Sequence, residues 1–178
     1  MTTETITLGG GCFWCTESVF VNVLGITDVE SGYSNGEVQQ PTYEQVCTGR
    51  TGHNEVVKLE YDPAQISLGE ILEIFFVIHD PTTPNRQGND VGTQYRSGIY
   101  YETPAQKQVA DDLVRQLNQD KLFGVPVVTE VLPRTNYWPA EEYHQDFFAK
   151  NPHQGYCMAV AAPKVAKFRK TFARLAKP

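Results

Sequence analysis

The sequence has little that would tie it to a membrane, to secretion or to nucleic acid. Its 178 residues include only four cysteines, too few for a disulfide scaffold, and no apolar run approaches the roughly 20 residues that span a bilayer. The segment Met1–Thr5 lacks the basic start and apolar core of a signal peptide. The net charge of −6 argues against a nucleic-acid surface, which is normally basic. We therefore expect a cytoplasmic protein without nucleic-acid or membrane partners, whose cysteines are catalytic, redox-active or metal-binding.

Length and composition favour one folded unit. With 40% hydrophobic and 20% charged residues, the chain can bury a core and is not predicted to be disordered. No repeat, low-complexity segment or linker divides it, so residues 1–178 are predicted to form a single catalytic domain, and we expect a monomer. The basic C-terminal stretch is predicted to be an amphipathic helix, because an apolar stripe runs along it at Val165, Phe168, Phe172 and Leu175.

The pattern of apolar residues, glycines and prolines predicts alternating strands and helices. Strands are predicted at 3–8, 26–33, 53–61, 98–102 and 125–132, and helices at 13–23, 68–79, 104–120 and 143–150. The irregular stretch 80–96 is predicted to be a functional or mobile loop. This order is typical of the split βαβ motif. We therefore predict an α+β, ferredoxin-like (α/β plait) core with long loops and an extended C-terminal segment.

The stretch GGGCFWCTE, Gly9–Glu17, carries the strongest functional signal. Three glycines between a strand and a helix place Cys12 at the first helical turn, where free N–H groups and the helix dipole are expected to lower the pKa of a thiol. Phe13 and Trp14 follow directly, so a sulfur nucleophile would lie beside an apolar wall. The alternative, that Cys12 is a small buried hydrophobe, fits the glycine turn and the helix start less well.

A second signal is a carboxylate on the apolar side of a strand. By strand parity, Glu55 shares a side with Val57, Leu59 and Tyr61. Burial there raises the pKa of a carboxyl and favours the neutral acid, which can donate a proton near pH 7. The alternative is a glutamate at a strand end that reaches solvent past His53.

Several separate segments, in the same order, resemble the methionine sulfoxide reductase A family. They are Gly11–Trp14 with Glu17, and the segments 31–33, 41–43, 51–55, 79–81, 86–90, 92–97 and 143–145. The resemblance covers nearly the whole chain. It implies reduction of methionine S-sulfoxide, free or in proteins, to methionine, which is protein repair after oxidative damage. It further implies thioredoxin as the reductant, methionine-sulfoxide-containing proteins and free methionine sulfoxide as substrates, and no cofactor or metal.

The resemblance also implies a role for each matching residue. Cys12 matches the nucleophile that attacks the sulfoxide sulfur and becomes a sulfenic acid. Glu55 matches the acid that protonates the sulfoxide oxygen, and Tyr43 and Tyr95 match the phenols that hydrogen-bond to it. Phe13 and Trp14 match the residues that bind the substrate around its S-methyl group. Asp90 matches an acidic residue near the substrate's main chain.

Two cysteines compete as the thiol that resolves the sulfenic acid. Cys157 matches the family's resolving segment, and Gly155 beside it suggests a mobile tail, although the glycine-rich stretch of some members is missing. Cys15 forms a Cys-x-x-Cys motif with Cys12, where many members carry glycine, and could resolve directly. Cys157 is the preferred candidate and Cys15 the alternative, while Cys47 is expected to be a spectator in or near the core.

Two other functions compete with this interpretation. A thioredoxin-type disulfide oxidoreductase would explain the Cys-x-x-Cys motif, but it leaves Glu55, Tyr43 and Tyr95 without a purpose. A zinc-binding module would use Cys12 and Cys15, yet no second pair of cysteines or histidines has the usual spacing.

Overall fold

The structure is a computed structural model that describes residues 2–178. Within these residues the strands are β1 (Glu4–Gly9), β2 (Ile26–Ser34), β3 (Asn54–Tyr61), β4 (Arg86–Gln87), β5 (Asp90–Val91), β6 (Gly98–Tyr101), β7 (Glu130–Pro133) and β8 (Trp138–Pro139). The helices of the same part of the chain are α1 (Phe13–Phe20), α2 (Tyr43–Cys47), α3 (Leu68–Ile78), α4 (Pro104–Gln119), α5 (Phe147–Lys150) and α6 (Ala162–Thr171).

One mixed sheet organises the fold, with the strand order β7-β6-β1-β3-β2-β8. Its four central strands, β6-β1-β3-β2, run antiparallel to one another. At the edge, β7 pairs with β6 in parallel. Two βαβ units, β1-α1-β2 and β3-α3-β6, interleave to give this order. The predicted α+β fold with a split βαβ core is thereby confirmed.

Local capping explains where several helices begin. The Ser67 hydroxyl accepts the Glu70 N–H and the Glu70 carboxylate accepts the Ser67 N–H, both at 3.1 Å, which confirms the predicted capping box of α3. Thr103 caps α4, with proline at the first helical position as expected. A second capping box, between Thr42 and Gln45, begins the short helix α2, which the sequence patterns did not predict.

Three predicted boundaries are wrong. The strand predicted at 125–132 is only β7, because the chain before it crosses to the loop after α3, where the Val128 N–H donates to the Pro81 carbonyl at 2.8 Å. The predicted loop 80–96 contains the β4–β5 hairpin and a 3₁₀ turn at Thr93–Tyr95. The helix predicted at 143–150 is interrupted by Asp146, which has a left-handed backbone (φ 56°), so a 3₁₀ turn precedes α5.

The core lies between the sheet and its helices and extends to the C-terminus. Phe168 and Leu175 are buried, which confirms the predicted apolar stripe of the C-terminal helix. Around Cys157, where Gly155 suggested a mobile tail, Cys157–Ala161 forms a π-helical turn that continues directly into α6. None of the helices in residues 2–178 combines the length and apolar character needed to span a bilayer.

Candidate active site

Cys12 lies where β1 gives way to α1, as the glycine pattern predicted. Gly11 has a left-handed backbone (φ 98°), and a Cβ there would come within 2.7 Å of the Gln87 side chain, so glycine is required. Cys12 is the residue that precedes α1, and its carbonyl accepts the N–H of Cys15 at 3.1 Å. The thiol is therefore half-buried at the start of a helix.

The expectation that this position lowers the pKa of Cys12 is wrong. Burial raises the pKa of the Cys12 thiol well above its ordinary value, and the neighbouring Glu55 and Cys15 raise it further. The Trp14 N–H acts in the opposite direction but is outweighed. The Cys12 thiol is thus protonated at neutral pH.

Glu55 enters the site from the start of β3, directly opposite Tyr33 of β2. It is 1% exposed. One carboxyl oxygen accepts the N–H of Phe13 at 3.3 Å, while the other has no hydrogen-bond partner among the described residues. Burial raises the pKa of Glu55 to about 8, against the opposing effect of the Phe13 N–H. The predicted neutral acid is therefore present at pH 7, hydrogen-bonded to the residue that follows Cys12.

Two phenols face this carboxyl from different elements. Tyr43 begins α2, where its N–H donates to Glu141 at 2.9 Å, and Tyr95 ends the 3₁₀ turn at 93–95. Burial, and after it the charge of Glu55, raises the pKa of both phenols. Cys12 also raises the pKa of Tyr95. Both tyrosines therefore remain protonated donors at neutral pH.

The aromatic wall that follows Cys12 is fixed by the C-terminal half of the chain. The Trp14 ring stacks on Phe147, with centroids 3.7 Å apart and planes 4° apart, and its indole N–H donates to His144 Nδ1 at 2.9 Å. Phe13 is buried between Tyr33 and His144, at centroid distances of 5.7 and 5.1 Å. The predicted apolar wall thus has two parts, a buried Phe13 and a partly exposed Trp14.

Asp90 lies on the β4–β5 hairpin, and its carboxylate accepts the Tyr156 hydroxyl at 2.5 Å. The Tyr156 ring also meets the Trp14 ring edge-on, with centroids 5.9 Å apart. The residue implied to bind the substrate's main chain is therefore joined to the residue that precedes Cys157.

All four cysteines are free thiols, but their surroundings differ. Cys15 and Cys157 are both buried and pack with Ala161 in one small cluster. Cys47 is exposed at the end of α2, where the Tyr43 hydroxyl is its hydrogen-bond partner. The placement of Cys47 in or near the core is therefore wrong.

Three residues that support the site had no role assigned from the sequence: Glu17 and His144, which lie in family-matching segments, and Tyr156. Glu17 is 2% exposed, and its carboxyl accepts the Ser31 hydroxyl at 3.2 Å and the Phe147 N–H at 3.3 Å. Burial raises the pKa of Glu17 to about 7. No local pattern could reveal these contacts, because the partners lie 14 to 141 positions away along the chain.

Residues 2–178 contain no group of three or more histidine, cysteine or carboxylate side chains placed to hold a metal ion. The zinc-binding alternative therefore gains no support from the geometry. The thioredoxin-type alternative leaves the buried acid and the two phenols unexplained, as it did at the level of sequence.

Comparison with known proteins gives the family of the chain. The model of the peptide methionine sulfoxide reductase family matches residues 4–176. The peptide methionine sulfoxide reductase MsrA of Trichodesmium erythraeum is 54% identical over 95% of this chain and 96% of its own length.

Solved structures agree with the sequence relatives. The reduced form of Mxr1 from Saccharomyces cerevisiae superposes with a TM-score of 0.83 at 39% identity and covers 89% of this chain and 91% of its own. Mxr1 in complex with Trx2 has a TM-score of 0.58 at 27% identity, over 82% of this chain and 84% of its own. From the family model and the relatives together, the chain belongs to the peptide methionine sulfoxide reductase A family and is an enzyme of that kind.

Proposed function

We propose that this protein reduces methionine S-sulfoxide, free or in proteins, to methionine through a sulfenic acid on Cys12, and so repairs oxidised proteins. The observation that carries the proposal is the pairing of a protonated thiol with a buried neutral carboxyl. The Phe13 N–H that follows Cys12 is hydrogen-bonded to Glu55. A sulfoxide sulfur becomes a good electrophile only when the charge on its oxygen is neutralised, and a carboxylic acid can do so by proton donation.

The first step follows from these two groups. The Cys12 sulfur attacks the sulfoxide sulfur while Glu55 gives its proton to the oxygen. This attack forms a transient S–S bond between Cys12 and the substrate. The hydroxyl oxygen then transfers to the Cys12 sulfur as that S–S bond and the S–O bond of the substrate break, which gives the Cys12 sulfenic acid and methionine. The proton of the Cys12 thiol replaces the one that Glu55 gave away, so the step needs no other proton source. The raised pKa values of both groups support this exchange, because both protons are present at the start.

The remaining site residues bind and orient the substrate in this proposal. Tyr43 and Tyr95 donate hydrogen bonds to the sulfoxide oxygen and stabilise its developing charge. Phe13 and Trp14 contact the S-methyl group, since sulfur and methyl groups pack well against aromatic rings. Asp90 accepts a hydrogen bond from the substrate's main chain.

The sulfenic acid is then reduced through an intramolecular disulfide. Cys157 is the proposed resolving thiol and Cys15 the alternative; water leaves when the disulfide forms. A thioredoxin, present in the cytoplasm, reduces the disulfide by thiol exchange. The Mxr1 complex with Trx2 supports this choice of reductant.

A rapid-quench burst without reductant tests the proposal. The wild-type protein should form methionine from the S-epimer of methionine sulfoxide in one fast phase, and Cys12→Ser should form none. Cys47→Ser, which removes an exposed thiol, serves as the matched control and should keep the burst. A normal burst from Cys12→Ser would end the proposal.

A further inference from the structure

We propose that Cys15 is a relay thiol, which condenses first with the Cys12 sulfenic acid and then passes the disulfide on to Cys157. The inference deepens the proposed function and rests on it, because it needs a sulfenic acid on Cys12. It replaces direct resolution by Cys157 with two steps that use both candidate thiols: Cys15 attacks the sulfenic acid in every turnover, and Cys157 attacks second. It rests on the position of Cys15 between the other two cysteines.

Cys12 and Cys15 lie one turn apart at the start of α1. The Cys15 N–H donates to the Cys12 carbonyl at 3.1 Å, so the two residues occupy positions i and i+3 of the same helical turn. Side chains at this spacing are neighbours on the helix surface, about 5–6 Å apart at Cβ. A disulfide needs Cβ atoms roughly 3.5–4.5 Å apart, so a small backbone adjustment in the first turn of α1, together with side-chain rotation, would close one.

Cys15 also packs with Cys157, which lies 142 positions later in the chain. Both Cys15 and Cys157 are fully buried, and together with Ala161 they form one apolar cluster. The Cys15 thiol donates to the Tyr156 hydroxyl at 3.6 Å, which ties it to the residue that precedes Cys157. Cys157 is also among the groups that raise the pKa of Cys15. Cys15 is thus the thiol that neighbours both of the others.

Direct attack of Cys157 on Cys12 would need a larger rearrangement. The Cys157 N–H donates to the Gln154 side chain at 3.0 Å, and the Met158 N–H donates to the Gln154 carbonyl at 3.0 Å. The turn that holds Cys157 continues into α6, which is anchored by the fully buried Phe168. A segment held in this way must open locally before its thiol can reach past Cys15.

Each step of the relay balances. The Cys15 thiol attacks the sulfenic sulfur of Cys12, so that a Cys12–Cys15 disulfide and one water molecule form. The Cys157 thiolate then attacks the Cys15 sulfur; Cys12 leaves as a thiolate and takes the proton that Cys157 released. The product is a Cys15–Cys157 disulfide, which a thioredoxin reduces with its own dithiol. Lys164 of α6 lowers the pKa of Cys15, partly against the effect of burial, and so assists its attack.

The test is disulfide mapping by mass spectrometry after one turnover, with thiols alkylated in the quench and methionine measured in the same samples. Wild type should end with a Cys15–Cys157 disulfide and an alkylated Cys12. Cys157→Ser should accumulate a Cys12–Cys15 disulfide. Cys15→Ser and Cys15→Ala should form any Cys12–Cys157 disulfide at least about tenfold more slowly than wild type forms its own, because local opening then comes first.

The methionine measurement separates this inference from the function beneath it. A normal burst in Cys15→Ala with rapid formation of a Cys12–Cys157 disulfide would overturn the relay and leave the reductase activity intact. A Cys157→Ser protein that keeps an unpaired Cys12 sulfenic acid would do the same. A missing burst in wild type would overturn both. The Cys47→Ser control should give the wild-type disulfide, and a disulfide that is lost with Cys47 would also contradict the relay.

Discussion

At the scale of single residues, the chemistry depends on a carboxyl that the fold keeps neutral. Glu55 has one oxygen held by a backbone N–H and the other free to give its proton. Burial disfavours a negative charge on Glu55, and such a charge would also disfavour a thiolate on Cys12. Both groups therefore hold their protons at neutral pH, and in the proposed mechanism the Glu55 proton moves only when a substrate oxygen accepts it.

Replacing Glu55 by glutamine should therefore slow the chemical step. The amide keeps the shape and can still accept the Phe13 N–H, but it has no proton to transfer, so methionine formation in the burst should fall about 10²–10⁴-fold. In wild type the acid form of Glu55 is lost as pH rises through about 8, so any decline in the burst rate above pH 8 should be absent from Glu55→Gln. Rapid-quench rates between pH 6 and 9.5 measure both effects. Equal burst rates for the two proteins at pH 7 would rule out the acid role.

Glu17 gives a stability prediction with a definite sign. Its pKa is raised from 4.5 to about 7 in the folded protein, so the folded state binds the proton more tightly than the unfolded one. Its favourable contribution is fully present below pH 4.5 and is lost as pH rises through 7. Glu17→Gln should therefore be more stable than wild type at pH 8, by up to about 3 kcal/mol, and similar to it at pH 4.5.

Urea unfolding at pH 4.5 and pH 8 checks this, with the exposed Glu142→Gln as the control. A Glu17→Gln protein that is less stable than wild type at pH 8 would show that the carboxylate is charged and paired instead.

What the sequence could predict at this scale depends on how local each effect is. Strand parity predicted a buried, neutral Glu55, but residues 54–57 are all buried, so the packing around this end of β3 also contributes. The pKa of Cys12 did not follow from its place at a helix start, because burial and the Glu55 charge come from residues that pack around it in the folded protein. The role of each site residue remains a proposal from the family resemblance.

At the scale of elements, α5 is a short helix whose position controls the wall of the site. Its first residue, Phe147, lies flat on Trp14, and its N–H is held by Glu17 of α1. The left-handed Asp146 turns the chain so that both contacts are made at once.

Phe147→Ala should weaken substrate binding without removing the chemistry. An aromatic pair is worth about 0.5–1.5 kcal/mol beyond its buried area, so loss of the stacking that holds Trp14 should raise KM about 2- to 10-fold and leave the burst rate at saturating substrate nearly unchanged. Steady-state and burst kinetics separate the two quantities. Leu122→Ala, at an exposed position, is the control. An unchanged KM would show that Trp14 needs no support from α5.

The elements that the sequence predicted well are those with strong local signals. The apolar alternation of β3, the capping box of α3, and the N-cap threonine and proline of α4 are contained within each segment. The β4–β5 hairpin has only two residues in each strand, too few for a periodic pattern. The helix α2 and the late start of β7 depend on contacts with distant parts of the chain, so they could not be predicted from their own residues.

At the scale of the whole molecule, the C-terminal residues pack against the core that the N-terminal half of the chain forms. The chain after α6 returns to α1, where the Lys177 N–H donates to the Asn22 carbonyl at 2.7 Å and Val23 forms a β-bridge with Ala176. The split βαβ core could be predicted because the succession of strands and helices along the chain is typical of that motif. That residues 1–178 act as one catalytic domain, and as a monomer, stays a prediction.

Leu175→Ala tests whether this closure stabilises the molecule without taking part in the chemistry. Leu175 is 6% exposed, and its carbonyl accepts the Leu24 N–H at 2.8 Å, so truncation should leave a cavity in the core and cost about 2–3 kcal/mol. For a protein of this size the cost corresponds to a fall in Tm of roughly 5–10 °C. Calorimetry should show that fall, while the methionine burst at 25 °C stays normal because Cys12 and Glu55 lie at the other end of α1. The exposed Leu122→Ala should leave Tm nearly unchanged. A Leu175→Ala protein with a normal Tm would mean that the C-terminal residues lie on the core without stabilising it.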